Sequence, residues 1–227
     1  SSSGSSNSSS GNSSSSSALD PAVIATGFAS DGQQTPTPGQ VASLTSQNNF
    51  INFCLTTNQP ITNGQQIKTG SCNPAPMGQI PDVSHMPASK FIAPKNLDTI
   101  PANTSFVIQM AIQNLDAGHF TNAQATYYAA PQQLNSNNVI VGHTHFVMQA
   151  ISSLTSTAVL DPRTFAFFQG VNTAAVNGVV SVNVAAGLPA GVYKLSSINS
   201  AANHQPVLAP VAQHGSLDDA IYVSSHI

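Results

Sequence analysis

The sequence predicts an all-β protein, an immunoglobulin-like antiparallel β-sandwich that carries an extended N-terminal arm and a Ser-rich head. Three observations predict it. Seven short segments beyond residue 104 are rich in β-branched and aromatic residues and are separated by Asn, Gly and Pro turns, the strand count of a small sandwich. The chain has no glutamate, 15 prolines and 15 glycines, so little in it sustains a helix. In "GLPAGVYKL", Pro189-Ala190-Gly191 turns the chain before Tyr193 opens a strand, as in a tyrosine corner. An ordinary tyrosine at a strand start has the same local pattern.

Residues 1–17, thirteen of them serine, have no apolar side chain to offset the entropy of ordering. Their composition is that of a flexible linker or a glycosylated stalk, with Ser13 and Ser14 as representative O-linked sites. N-glycosylation sequons begin at Asn7, Asn12 and Asn103. Residues 18–47 keep apolar side chains but are broken by Pro and Gly, and read as an arm with one short helical turn after Asp20-Pro21. The sandwich domain is expected over 48–227, opening with "NNFINFCLT" as a strand or short helix.

Cys54 and Cys72 flank a "TNGQQ" turn and lie 18 positions apart, and are read as one disulfide. Closing a loop of that size is worth about 3 kcal/mol in the chain-entropy model and implies an oxidising compartment. The alternative is a pair of buried free thiols. Residues 73–96, with prolines throughout, read as a surface loop.

The expected strands then follow in order. In "SFVIQMAIQ", Phe106, Ile108, Met110 and Ile112 share one face, and Gln109 and Gln113 lie on the other, the period-2 pattern of a half-buried strand. "ATYYAA", "VIVGHTHFVMQAI", "RTFAFFQGV", "GVVSVNVAA", "GVYKLSSI" and "AIYVSS" complete the set. Within "FAFF", Phe165, Phe167 and Phe168 are all read as core.

Charge narrows the function. Asp, Glu, Lys and Arg make up only 6% of the chain, against about 25% in an average globular protein. The five cations are scattered singly, which excludes the basic stripe that a nucleic-acid backbone requires. No apolar run reaches membrane-spanning length, and the chain reads as a mature, processed, soluble form.

The strongest chemical motif is "VGHTHFVMQ". On a strand His143 and His145 point to one face, the spacing by which β-proteins present two imidazoles to one metal ion. His204 and His214 lie downstream where the chain could return beside that strand, with Asp218 or Asp219 as an oxygen ligand. Such a set would hold zinc or copper. The competing reading is of hydrogen-bonded packing histidines and no cofactor.

Catalytic sets are missing: no Gly-x-Ser-x-Gly elbow, no phosphate cradle, and eight aspartates mostly in turns. A glycan shelf could form from Tyr127, Tyr128, Gln132 and Gln133 in "TYYAAPQQLN"; a strand running into a turn is the alternative.

Taken together, "MGQIP", "NLDAGHFTNAQATYYAAPQQLN", "GHTHFVMQ", "DPRTFAFFQGVN", "GLPAGVYKL" and "ANHQPVLAPVAQHGSLDD" resemble a family of small secreted fungal cell-surface proteins, mostly uncharacterised and often labelled as ribosomal. The resemblance spans roughly residues 48–225. It implies an extracellular or cell-wall location and no particular activity. The expected function is a non-catalytic structural protein of the fungal surface, a homo-oligomer or polymer joined through its arm and carrying covalent glycans. A glycan-binding module and a metal-binding protein are the alternatives.

Overall fold

The computed structural model describes residues 17–36, 38 and 41–226. Residues 1–16 of the head, with Asn7, Asn12, Ser13 and Ser14, therefore lie outside the described residues. The chain forms two compact units divided between Gln59 and Pro60.

In the first unit, Pro21–Val23 forms a 3-10 turn where the sequence anticipates one. Proline's fixed φ suits its first position, and Asp20 Oδ1 accepts the Ala22 N–H at 2.9 Å. Further 3-10 turns cover Thr26–Ala29 and Phe53–Thr56, so "NNFINFCLT" is a helical turn and not a strand. Phe50 lies between Phe28 and Phe53, with ring centroids 6.2 and 6.4 Å away. Asn49 ties the segment together, accepting from Ala25 N and donating to the Val23 carbonyl.

The second unit is all-β: two sheets in a sandwich-like arrangement. Its strands are β1 (Ala88–Ala93), β2 (Thr99–Pro101), β3 (Phe106–Gln113), β4 (Leu115–Asp116), β5 (Ile140–Ile151), β6 (Phe167–Val171), β7 (Val179–Val184), β8 (Gly191–Ala201) and β9 (Ala220–His226). One sheet runs β1-β3-β7; the other runs β2-β9-β8-β5-β4, with β6 also beside β5. The two meet through alternate side chains. Ile108 and Met110 of β3, Phe146 and Met148 of β5, Leu195 of β8 and Ile221 and Val223 of β9 are all buried. Phe91 of the first sheet meets Phe146 of the second edge-on, centroids 5.2 Å apart.

Polar contacts also cross between the sheets. Asp219 Oδ2 accepts the Phe91 backbone N–H at 2.8 Å and Lys90 Nζ at 3.2 Å. Asn199 Nδ2 of β8 donates to Ser89 Oγ of β1 at 2.8 Å. Tyr193 is buried and its hydroxyl donates to the Pro189 carbonyl at 2.9 Å, the return bond of a tyrosine corner.

Four expectations need correction. Pairing is not wholly antiparallel, because β2 runs parallel to β9 and β4 parallel to β5. Residues 73–96 are not all loop: β1 lies between Pro87 and Pro94, in register with β3. "ATYYAA" is not a strand; Tyr128 has φ +55°, and only an isolated bridge from Tyr127 to Gly64 remains. Of "FAFF", Phe167 packs against the core, but Phe165 and Phe168 are exposed.

Cys54 and Cys72 are disulfide-bonded, which removes the free-thiol alternative. The Cys72 backbone is held by Pro60 and Thr62, its N–H donating to the first and its carbonyl accepting from the second. No helix among the described residues is long and apolar enough to cross a membrane.

Candidate metal centre

β5 has two faces. Ile140, Gly142, Thr144, Phe146 and Met148 turn to the core, which leaves His143 and His145 on the other side. His143 is nevertheless fully buried. Two segments roof it. The His119 N–H donates to the Gly142 carbonyl and the Ala202 N–H to the Val141 carbonyl, while the Thr121 N–H donates to the Ala202 carbonyl and stitches the segments together. Asn203 Nδ2 adds a 2.8 Å bond to the Thr126 carbonyl. Beside His143, Gly142 lets β8 approach closely, because a Cβ there would collide with the Ser200 carbonyl.

His204 enters from the turn after β8 with φ +74°, a left-handed conformation that is uncommon outside glycine. That conformation carries its ring to His143, and Nδ1 of His204 lies 3.1 Å from Nε2 of His143. The opposite nitrogens are already committed to carbonyl oxygens: His143 Nδ1 to His119 at 3.2 Å, and His204 Nε2 to Thr121 at 2.7 Å. A carbonyl only accepts, so both of those nitrogens carry hydrogen. In the neutral tautomers that follow, two lone pairs point at each other across 3.1 Å. Such a pair needs a cation between its members, either a proton or a metal ion.

Burial, reinforced by the neighbouring His145 and His204 rings, pushes His143 down to about 4. His145 is lowered too, first by burial and then by His204. Protonation of His143 and His145 is therefore disfavoured at neutral pH, and neutral imidazole is the form that binds metal. The donor atoms of His143, His145 and His204 all lie within 4.8 Å of one another. Tetrahedral nitrogens bonded to zinc at about 2.1 Å stand about 3.4 Å apart. The His143–His204 pair is close to that spacing, and His145 must turn inward to complete the set. The carbonyls of His119 and Thr121 orient the two rings in the way that outer groups fix metal-ligating histidines.

His145 and His204 also line a cleft of about 480 Å³. Phe120 and Phe168 line it beside Asn122 and Asn172. The Phe168 ring stacks on His145 with centroids 5.2 Å apart, and Phe120 meets the His143 ring edge-on at 6.2 Å. The buried Thr121 hydroxyl has no hydrogen-bond partner among the described residues.

Other expected site residues fall elsewhere. His214 is absent from the cluster, and its Nδ1 donates to the Gly215 carbonyl beside it. Asp218 accepts from Ser197 Oγ and Asn199 N, and Asp219 from β1, so neither carboxylate joins the histidines. The four-residue glycan shelf does not assemble. Gln132 is buried, its amide donating to the Gln79 carbonyl and its Oε1 accepting from Leu208 N, while Gln133 is exposed. Tyr127 and Tyr128 stack on each other at 4.0 Å, and Tyr127 also stacks on the His204 ring at 5.9 Å. Desolvation, then a hydrogen bond with Tyr128, raises Tyr127 to about 12, so it stays a neutral phenol. Asn103 sits exposed in a turn, its φ +53°.

Phe120, Thr121 and Asn172 join the cleft without a signal in the sequence, and Phe168, expected in the core, lines it too. Phe120 and Thr121 directly follow His119 in "GHFTN", which offers no spacing signal for a metal.

The model of the CLU5d N-terminal domain matches residues 89–226. The "Pathogenicity cluster 5 protein d" of the fungus Colletotrichum graminicola is 44% identical over 203 residues, covering 88% of the chain. The chain spans 42% of that relative's length.

Proposed function

The chain belongs to the CLU5d N-terminal domain family, and we propose that it is an extracellular fungal protein that binds one transition-metal ion through His143, His145 and His204. The observation that carries this is the meeting of two hydrogen-bond-oriented imidazoles with no proton between them in their neutral forms. Imidazole donors suit zinc and copper. The disulfide and the sparse charge support an oxidising, extracellular setting. The relative's name points to a role in pathogenicity, and the metal site is the chemistry that this domain would contribute there.

Calorimetric titration of untagged protein with Zn2+ and Cu2+ tests the reading. One ion per chain is expected, with binding lost in the His143→Ala and His145→Ala variants and kept in His214→Ala. Because His145 is only partly buried, its variant separates loss of binding from loss of fold. Equal binding by all four proteins would overturn the assignment.

A second reading, self-association of a surface structural protein through the arm, is favoured by apolar exposure in the first unit. Val41, Leu44 and Leu55 are 83%, 70% and 84% exposed. Association would cover them. Light scattering across a concentration series is expected to show oligomers that dissociate when Leu44 and Leu55 are both changed to Ser; a monomer at every concentration would contradict it.

A further inference from the structure

We propose that the cleft beside Phe120 and Phe168 receives a small aromatic carboxylate, whose oxygen takes the open coordination position of the ion held by His143, His145 and His204. This rests on the metal reading above and deepens it. Three neutral imidazoles bring no negative charge, so a divalent ion among them keeps its full charge. None of the described residues lining the cleft carries a carboxylate. An anion is the ligand that such a centre lacks. Three protein ligands with a vacant fourth position are also the arrangement of exchangeable zinc sites, whereas structural sites are closed by four.

The walls then select among anions. Phe120 and Phe168 are 48% and 46% exposed although each packs beside a cluster histidine. They give the cleft two apolar aromatic faces within reach of the metal-facing nitrogens. A flat ring gains there by burial and stacking; a small aliphatic acid gains less. Space is sufficient, at about 480 Å³. Gly170 keeps the floor low: a Cβ there would lie 3.4 Å from His145 Cδ2 and 3.3 Å from Asn172 Oδ1. The Thr121 hydroxyl is buried without a partner among the described residues, and Thr121 lines the same cleft.

The test is a titration of Co2+-loaded protein, whose visible absorption reports the coordination sphere, with benzoate and separately with acetate. Benzoate is expected to shift the spectrum and to bind about tenfold more tightly than acetate, a preference within the range of one buried aromatic ring. Phe120→Ala and Phe168→Ala should each cut benzoate affinity severalfold more than acetate affinity. Stoichiometric cobalt with no spectral response, or equal affinity for the two acids, overturns the ligand assignment and leaves the metal site standing. Failure to bind cobalt at all overturns both.

Discussion

His143 Nε2 and His204 Nδ1 face each other at 3.1 Å with their remaining ring nitrogens bonded to the His119 and Thr121 carbonyls. The backbone thus fixes which nitrogen of each ring is free. Loading with zinc should produce an X-ray absorption spectrum with three imidazole nitrogens at about 2.0–2.1 Å. His204→Ala should remove one of these and weaken binding, whereas His214→Ala should leave the spectrum unaltered. A shell dominated by carboxylate oxygen would place the ion elsewhere.

Without metal, the same burial makes the fold acid-sensitive. His143 is held near 4, below the roughly 6.5 of an unfolded chain, so between those values the unfolded state takes up a proton that the native state refuses. Stability is complete above about pH 6.5 and falls as pH drops toward 4, by on the order of 3 kcal/mol. Urea midpoints of chelator-treated protein should therefore fall across that window, and His143→Gln should flatten the profile. An unchanged profile in the variant would contradict the assignment.

Gly142→Ala sets a Cβ against the Ser200 carbonyl, at the β5–β8 pairing next to His143. The strands must part, at a cost of at least about 2 kcal/mol. Denaturant melts should show that loss, accompanied by weaker metal binding. A variant as stable as wild type would show that β8 can shift freely.

The Tyr193 hydroxyl is the donor to the Pro189 carbonyl in the corner that leads into β8. Tyr193→Phe keeps the ring and deletes that bond, with an expected loss of about 1 kcal/mol. Since the histidines lie at the far end of β5 from this corner, metal stoichiometry should be unaffected. A change in stoichiometry would mean that the corner sets the site's geometry.

Asn103 is exposed in the turn between β2 and β3. If the chain passes through a secretory route, fungus-secreted protein should carry an N-glycan there. Endoglycosidase treatment should lower its apparent mass, with a smaller shift in Asn103→Gln. No difference between the two proteins would contradict the site.

The sequence exposed the strands best where alternation was unbroken. Ile108 to Ile112 and Phe146 to Met148 turn inward as their period predicts. β1 was hidden by the prolines on either side of six extended residues, and "ATYYAA" misled because high β-propensity there serves a stacked turn instead. At the site, His-x-His was legible from strand geometry alone. His204 could be named only as a nearby histidine, because its left-handed backbone and its bond to Thr121 arise from tertiary contacts. Phe168 was misplaced because local pattern cannot say which face of β6 is covered. Its partner is His145, not the core.

The decisive measurement is metal analysis of native, untagged protein by mass spectrometry after dialysis without chelator. Close to one zinc or copper ion per chain is expected, lost in the His145→Ala variant. Protein that stays folded but retains no ion, even after exposure to both metals, would contradict it.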